Sequence, residues 1–493
     1  MNPPLERSSS ADAARHALCW ATWPSDLSTP VRAFLALRAA GHRSTLLESV
    51  EGPERLARWS FLCVDPSASL RSRGGRSRIV RGESVEELEL PALAALRQAG
   101  RVRRGALPGG FPPFAGGWVG WFSYEWSREL EPSVPLAGRD PWDAPSASFE
   151  LYERLLAFDH AAQRLFVIAR CERERDYAAA QLSIEALAAD VFAAGERQSG
   201  PFRLAGELET CTDEADFRSG VSALRESIAA GEVFQAVLAR RFEQRFAGDA
   251  FTLYRVLRLT NPSPHMFFHE SDGFTLIGSS PERLLSVREG RVENRPIAGT
   301  RPRASEAAED DRLGAELLRD PKERAEHEML VDLARNDLGR VARVGTVRVR
   351  EHARLERFAQ VQHLVSRVEC ELAAGRDALD ALAAAFPAGT VSGAPKLRAQ
   401  QLLAGLERDT RGPYAGCFGY LDLHGNLDMA LTIRSFVARA GVLSVQAGAG
   451  VVFDSDPQKE LEETAHKARA LLEAARLAGS ECFLPAPLAR SRT

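Results

Sequence analysis

Strand-like segments of this sequence occur in pairs, and blocks of helical periodicity interrupt the pairs without a strict strand–helix alternation. Examples are RWSFLCV, SRIVRG, FELYERLLAFD, RLFVIAR, CFGYLDL and VLSVQAGAGVVF. Neighbouring strands favour antiparallel pairing, whereas a doubly wound parallel sheet needs a helix after nearly every strand. The sequence therefore predicts an α+β fold in which helices pack on a two-sheet sandwich.

A short polar passage divides the patterned sequence into two parts. Residues 195–201 read GERQSGP, and Gly and Pro in a polar segment between patterned regions are typical of a boundary. We therefore divide the 493 residues into a flexible tail (1–27), a first region (28–194), a linker (195–201), a second region (202–477) and a second tail (478–493).

The charge balance and hydropathy of the chain exclude several classes of protein. Lys and Arg number 63 against 67 Asp and Glu, so no cationic excess exists to hold a polyphosphate backbone, and we expect no nucleic-acid partner. No signal-peptide pattern and no apolar stretch of about 18 residues is present, which argues against secretion and membrane insertion. Seven cysteines without a CxxC pair favour a reducing cytoplasm.

Two carboxylates fall on the apolar face of a helix predicted to begin after Asp320. An N-cap Asp followed by Pro is a typical helix start. At about 100° per residue, Glu323 and Glu326 lie on the same stripe as Leu330 and Ala334. Glu323 could instead complete a capping box with Asp320, but Glu326 lies one turn deeper, so this alternative does not explain it.

The last predicted helix, residues 457–477, begins in the same way after Asp456. Its Glu460, Glu463 and Lys467 lie on one side. One interpretation is a solvated face with an i,i+4 ion pair between Glu463 and Lys467. The other is that carboxylates of the two helices converge on a hard cation, for which Mg²⁺ is suited because it accepts a few carboxylates and keeps positions for an anionic substrate. Zinc would need His or Cys ligands, and the histidines are scattered.

Three glycine-containing turns could bind anions through exposed backbone N–H groups. They are Gly448-Ala449-Gly450, the turn ending in Gly299-Thr300, and GTVSGAPK at residues 389–396. Each could also be an ordinary turn.

Two side chains with polar heads occur among apolar neighbours. Arg434 is predicted to lie on the strand LTIRSF. A buried guanidinium there needs an anionic partner, and it can bind a carboxylate through two parallel hydrogen bonds. His363 lies in VQHLVS, where it is either a satisfied core histidine or a site residue.

The order and wording of these motifs resemble the chorismate-binding enzymes, and within that family the large subunits of anthranilate synthases. The resemblance covers residues 43 to 472, and its parts in chain order are LLES, NPSPHMFF, SPE, PIAGTRPR, ERAEH, LVDLARND, VQHLVS, GTVSGAPK, GPYAG, LTIRSF, QAGAG and the triplet Glu460, Glu463 and Lys467. It implies the chorismate-utilising form of the two-sheet fold and the Mg-dependent formation of anthranilate and pyruvate from chorismate and ammonia.

The resemblance also implies a role for each matching position. The implied Mg²⁺ ligands are Glu323, Glu326, Glu460 and Glu463. The metal that they hold would bind the ring carboxylate of chorismate. The implied substrate-binding residues are Gln235, Gly299, Thr300, Tyr414, Arg434, Gly448, Ala449, Gly450 and Lys467. The implied catalytic residues are the general acid Glu282, which protonates the departing 4-hydroxyl, and His363 and Thr390, which line the ring and assist the later elimination.

Two positions favour anthranilate over the products of related enzymes. Relatives that add water to chorismate have a lysine base where this chain has Gln235, which disfavours isochorismate synthesis. Many aminodeoxychorismate synthases have a nucleophilic lysine where this chain has Ala298. Aminodeoxychorismate synthase component I, which aminates C4, is the nearest alternative, and a non-catalytic tryptophan sensor is a further one.

The first region resembles the tryptophan-binding, regulatory part of anthranilate synthases. With NPSPHMF it would form a feedback-inhibitor pocket, and His265 stands where the family leads us to expect tyrosine. The implied tryptophan contacts are Leu47, Glu48, Ser49, Pro262, Ser263, Met266 and Phe267.

A second subunit is also implied by the resemblance. The sequence contains no amidotransferase block with a cysteine nucleophile. We therefore expect a separate glutamine amidotransferase, the second component of the enzyme, to supply ammonia.

Overall fold

The computed structural model describes residues 6–7, 18–50, 58–100, 109–136, 138–171, 176–193, 195, 198–358 and 361–480. Within these residues the chain forms 25 strands and 11 α-helices. The strands are β1 (Glu6–Arg7), β2 (Leu18–Pro24), β3 (Ser44–Glu48), β4 (Trp59–Val64), β5 (Ala68–Arg73), β6 (Arg76–Arg81), β7 (Ser84–Leu88), β8 (Gly117–Phe122), β9 (Ala147–Tyr152), β10 (Arg154–Asp159), β11 (Arg164–Arg170), β12 (Phe202–Thr210), β13 (Gln235–Gly248), β14 (His265–Ser271), β15 (Phe274–Ser280), β16 (Arg283–Arg288), β17 (Arg291–Asn294), β18 (Ile297–Pro302), β19 (Arg348–Arg357), β20 (Val361–Glu371), β21 (Gly393–Ala394), β22 (Cys417–Asp422), β23 (Leu427–Leu431), β24 (Ser435–Arg439) and β25 (Val442–Val451).

The helices lie before, between and after these strands. They are α1 (Pro30–Ala39), α2 (Ala92–Ala99), α3 (Ser127–Leu130), α4 (Tyr177–Phe192), α5 (Glu214–Ala229), α6 (Ala250–Thr260), α7 (Ala307–Arg319), α8 (Pro321–Gly339), α9 (Ala378–Ala385), α10 (Lys396–Leu406) and α11 (Pro457–Ala478). No helix of the described part of the chain is long and apolar enough to cross a membrane.

The strands form two large antiparallel sheets. The first has 13 strands in the order β1-β2-β11-β10-β4-β3-β14-β15-β24-β25-β13-β12, with β21 paired to β13. The second has 12 strands in the order β18-β20-β17-β16-β23-β22-β8-β9-β5-β6-β7, with β19 paired to β20. The predicted α+β two-sheet sandwich is therefore confirmed.

Alternation along the strands builds a hydrophobic core on each side of the first sheet. On β4, Phe61 contributes to the core between the sheets, whereas Leu62 contributes to an outer core, as expected when successive side chains point to opposite faces. Helices α1, α4, α6 and α11 pack in that outer core. Helices α2, α8 and α9 contribute to the corresponding core of the second sheet, so the molecule has four layers.

The structure corrects the prediction of a flexible tail over residues 1–27 for the part from residue 18 onward. Strand β2 pairs with β11 along its whole length, and Cys19 on it is fully buried. The apolar segment LCWATW contains the burial signal, which the polar residues around it obscured. Most of the predicted second tail, residues 481–493, lies outside the described residues.

The predicted linker at 195–201 lies between α4 and β12. Strands from both sides of it hydrogen-bond within the same sheets; for example, β3 pairs with β14 and β8 pairs with β22. A functional division at this boundary stays a prediction.

Candidate active site

The chain passes between the two sheets at two neighbouring places. Residues 281–282 connect β15 of the first sheet to β16 of the second, and residues 432–434 connect β23 of the second sheet to β24 of the first. The Leu431 N–H donates to the Glu282 carbonyl at 2.9 Å, and the Ser279 N–H donates to the Arg434 carbonyl at 3.1 Å. These backbone hydrogen bonds therefore join the two crossovers that carry the acid Glu282 and the cation Arg434.

Glu282 has the properties of a proton donor near neutral pH. Burial raises the pKa of its carboxyl to about 7, and a hydrogen bond from Thr390 opposes the rise. The Thr390 hydroxyl donates to Glu282 Oε1 at 2.8 Å. Thr390 lies in the 386–395 loop between α9 and α10, which packs closely on α8, since a Cβ at Gly389 would lie 1.9 Å from Leu333 Cδ2.

His363 faces Thr300 across the pairing of β18 and β20. Its Nδ1 lies 2.9 Å from the Gly299 carbonyl and 3.1 Å from Thr300 Oγ1. A carbonyl only accepts, so Nδ1 carries the proton and Nε2 is an acceptor in the neutral ring. Burial, assisted by the charge of Arg434, lowers the pKa of His363. The ring is therefore neutral at physiological pH and can accept a proton at Nε2.

The two acidic helices begin as the sequence predicts. Asp320 accepts from the N–H groups of Lys322 and Glu323 at the start of α8, and Asp456 caps α11 in the same way. The Glu323 carboxylate does not serve this cap: its Oε1 accepts from Arg301 Nη1 at 3.0 Å. The Glu323 side chain also lies close to the Gly299-Thr300 turn, since a Cβ added at Gly299 would be 3.2 Å from Glu323 Oε2.

Charges on α8 and α11 act on each other across the site. Burial, followed by the charge of Glu323, raises the pKa of Glu326, and Glu463 on α11 adds to the rise. Burial and Glu463 also raise the pKa of Glu460, whereas Lys322 of α8 lowers it. Charged groups on the two helices therefore affect the pKa values of Glu326 and Glu460 across the gap between them.

This donor set suits Mg²⁺ chemically, although it is not arranged as a closed metal cluster. Among the described residues no three His, Cys, Asp or Glu side chains are grouped to hold an ion. Glu323 is paired with Arg301, and Glu463 Oε1 lies 2.6 Å from Lys467 Nζ. The donors are all carboxylate oxygens, which Mg²⁺ prefers, and a divalent cation would relieve the repulsion from Glu323 and Glu463 that adds to the effect of burial on the pKa of Glu326.

The predicted carboxylate-binding residues lie together where α11 packs on β25. Arg434 Nη1 donates to the Lys467 carbonyl at 2.8 Å, and Lys467 Nζ donates to the Gly448 carbonyl at 2.9 Å. A Cβ at Gly448 would lie 3.1 Å from Tyr414 Oη, and one at Gly450 would lie 2.5 Å from Gln235 Nε2. Glycine therefore allows these side chains to approach the strand closely.

Arg434 corrects one detail of the sequence analysis. It lies on the 432–434 crossover with φ of 50°, not on a strand. Its recorded hydrogen bond goes to a backbone carbonyl, and no described carboxylate pairs with it. Burial lowers the pKa of its guanidinium, so the side chain gains from an anionic ligand.

A separate pocket of about 100 Å³ lies between the two sheets. Five of the seven predicted inhibitor contacts line it, namely Leu47, Glu48, Ser49, Met266 and Phe267. Pro262 and Ser263 are not among its lining residues, and the Ser263 hydroxyl donates to the Ser280 carbonyl instead. His265 lines the pocket as a neutral ring, because burial lowers its pKa to about 4.

Sequence reasoning missed several residues of both sites. The second sheet supplies Arg283, Phe418, Tyr420 and Asp428 to the pocket between the sheets. Arg301 belongs to a quoted motif but carried no assigned role. Lys396, at the end of GTVSGAPK, donates to Asp337 at 2.8 Å and to the Ala385 carbonyl, so it anchors α10 to α8.

Comparisons with known proteins show the family to which this chain is similar. The family model described as chorismate binding enzyme matches residues 42–473. Anthranilate synthase component 1 of Aquifex aeolicus is 42% identical over 465 residues, which cover 92% of this chain and 93% of that protein. Its counterpart from Thermus thermophilus is 44% identical over 469 residues, covering 93% of this chain and 97% of that protein.

A solved structure extends the similarity to three dimensions. The crystal structure of anthranilate synthase component I from Streptococcus pneumoniae TIGR4 matches with a TM-score of 0.76 at 34% sequence identity, over 84% of this chain and 92% of that one. The chain therefore belongs to the chorismate-binding enzymes, in the group of anthranilate synthase component 1.

Proposed function

We propose that the chain converts chorismate and ammonia into anthranilate and pyruvate, the first step of tryptophan biosynthesis. The observation that carries this proposal is the placement of Glu282 and Arg434 on adjoining crossovers between the sheets. Chorismate is a dianion whose 4-hydroxyl leaves poorly. The enzyme must therefore neutralise two carboxylates and protonate the oxygen that leaves.

Glu282 supplies the proton. A carboxyl with a pKa of about 7 is about half protonated at neutral pH, and it is acidic enough to protonate the leaving 4-hydroxyl oxygen. The Thr390 hydroxyl orients this carboxyl through the 2.8 Å hydrogen bond. After ammonia adds at C2, the acceptor Nε2 of neutral His363 is suited to take the ring proton that is lost with pyruvate.

Cationic and backbone groups hold the two substrate carboxylates. Arg434, Lys467 and Tyr414 lie around Gly448 and are placed to bind the enolpyruvyl carboxylate. The Gly299-Thr300 turn would orient the ring carboxylate. Mg²⁺, held by Glu323, Glu326, Glu460 and Glu463, would neutralise that ring carboxylate when bound.

The pocket between the sheets suits tryptophan as a feedback inhibitor. Its walls include the aromatic rings of Trp59, Phe61 and Phe418, which can enclose an indole ring. Arg283 also lines it, paired with Asp428 and Glu293, so a ligand carboxylate would have to share its guanidinium with them. The Ser49 hydroxyl is buried in this pocket without a hydrogen-bond partner among the described residues, so an amino-acid ligand would satisfy it.

Glutamine is the expected nitrogen source in a complex with a second subunit. The relatives are named component 1, and that name implies a further component. We assign glutamine hydrolysis to an amidotransferase partner.

The products test the proposal directly. With chorismate, Mg²⁺ and ammonium, the purified chain should form fluorescent anthranilate and pyruvate in equal amounts, whereas glutamine should replace ammonium only after the amidotransferase subunit is added. Accumulation of a stable 4-amino product would favour aminodeoxychorismate synthesis instead, and glutamine use by the chain alone would contradict the assigned partnership.

Thr390→Val should move the alkaline limb of the pH–activity profile to higher pH. Activity of the wild type should fall as pH rises through about 7, because Glu282 loses its proton. The Thr390 hydrogen bond favours the ionised form, so its loss raises the pKa, by about half to one unit for a bond of about 0.5–1.5 kcal/mol. The measurement is kcat/KM against pH, with Thr260→Val on α6 as control. An unmoved limb would rule out this acid assignment.

Glu326→Gln should weaken Mg²⁺ binding by at least about tenfold and abolish turnover. Loss of a residue that only hydrogen-bonds to a metal ligand already lowers metal affinity by about 10–100-fold, and Glu326 is proposed as a ligand itself. Binding is measured by titration calorimetry, and circular dichroism checks the fold. Glu328→Gln is the matched control, since Glu328 is exposed on the same helix beside His352. Unchanged Mg²⁺ affinity in Glu326→Gln would refute the metal assignment.

Ser49→Ala should weaken tryptophan binding by about 2–10-fold, the equivalent of one hydrogen bond, without changing uninhibited activity. The inhibition constant and direct binding are both measured. Ser44→Ala is a close control, because the Ser44 hydroxyl is also buried and unpartnered among the described residues but does not line the pocket. Equal effects of the two substitutions would place the inhibitor elsewhere.

A further inference from the structure

Arg411 is a buried cation that no part of the proposed reaction uses. Its side chain is 2% exposed. The guanidinium donates twice to the Glu407 carboxylate, at 2.8 and 2.6 Å, and to the carbonyls of Val391 and Val237, each at 2.6 Å. One planar fork thus joins a carboxylate and two separate chain segments.

The Glu407–Arg411 pair occupies a gap in the first sheet. Strand β13 pairs with β21 at Gln235 and Ala236 and with β12 from Phe242 onward. Between these stretches, the Ala239 N–H donates to Glu407 Oε1 at 3.1 Å and the Val237 carbonyl accepts from Arg411. The ion pair therefore replaces part of a neighbouring strand along this edge.

Both segments joined by Arg411 carry residues of the candidate active site. Val391 follows Thr390, the partner of Glu282. Val237 lies opposite Gly450 in the pairing of β13 with β25. The guanidinium also lies 5.9 Å from the centre of the Tyr414 ring.

The backbone at Arg411 is itself fixed from the opposite side. The Glu125 carboxylate accepts from the N–H groups of Arg411 and Gly412, at 2.7 and 3.0 Å. Gln446 donates to the Arg411 carbonyl at 2.8 Å, and the Tyr124 ring centre lies 4.3 Å from the guanidinium. Arg411 is thus a fixed point from which the two active-site segments are held.

We infer that Arg411, held by Glu407, is a positioning residue. It fixes the position of the 386–395 loop, and with it Thr390 and Glu282, relative to β13, whose Val237 lies opposite the substrate-binding residue Gly450. The inference rests on the proposed function for its meaning in catalysis. Lysine would keep the charge, but an ammonium cannot reproduce the planar fork that reaches both carbonyls and the carboxylate together.

Arg411→Lys should lower kcat/KM for chorismate by about 100-fold, the order of loss that a misplacement of about 1 Å produces. Loosening of the loop weakens the Thr390 hydrogen bond, so the Glu282 pKa should rise as it does in Thr390→Val. In the Arg411→Lys background, Thr390→Val should then add little further shift, because the two changes act on one interaction. Arg58→Lys, which disturbs a bidentate pair with Asp159, is the control.

A loss of folded protein would lower activity without moving the Glu282 pKa of the molecules that remain folded. That pKa is therefore also followed by infrared titration, with the spectrum of Glu282→Gln subtracted, which needs no turnover. Glu407→Asp keeps the charge and withdraws the carboxylate, and it should shift the pKa in the same direction by a smaller amount if Arg411→Lys does not fold.

The outcomes separate this inference from the proposed function. If the wild type forms anthranilate while Arg411→Lys and Glu407→Asp keep the wild-type Glu282 pKa, the positioning role is overturned and the proposed function stands. Additive shifts in the double variant would also overturn it. If the wild type forms no anthranilate, the proposed function fails, whereas the infrared titration still decides whether Arg411 positions Glu282.

Discussion

The candidate site depends on the hydrogen bonds that join two crossovers between the sheets. Because Leu431 donates to the Glu282 carbonyl and Ser279 to the Arg434 carbonyl, backbone hydrogen bonds hold together the two segments that carry an acid and a cation. A sandwich normally encloses an apolar core. Here the crossovers bring polar groups between the layers, and burial then raises the pKa of Glu282 to about 7.

Burial also governs the acidic side of the site. Burial, followed by the charge of Glu323, raises the pKa of Glu326. The fold limits this cost with Arg301 at Glu323 and Lys467 at Glu463. A divalent cation would compete with these internal partners, so its affinity would depend both on the carboxylates and on the basic residues that it displaces.

Local features of the sequence predicted much of the fold and of the candidate site. The caps at Asp320 and Asp456 are read from neighbouring residues, and helical spacing placed Glu326 on an inward face. Arg434 was wrongly placed on a strand, because its apolar neighbours belong to a crossover whose path depends on both sheets. The role of Arg411 depends on the carbonyls of Val237 and Val391, which are 174 and 20 residues away from it in sequence. No local sequence pattern indicates such contacts.

The contrast between Arg411 and Lys467 shows how the two cations divide the work of the site. Arginine spans several fixed acceptors with one rigid fork, and at residue 411 that fork joins one carboxylate and two carbonyls. Lys467 presents a compact ammonium to one carboxylate and one carbonyl, and an ammonium on a flexible stem can turn toward a ligand. The first cation therefore fixes the framework, whereas in the proposed reaction the second would exchange Glu463 for a substrate carboxylate.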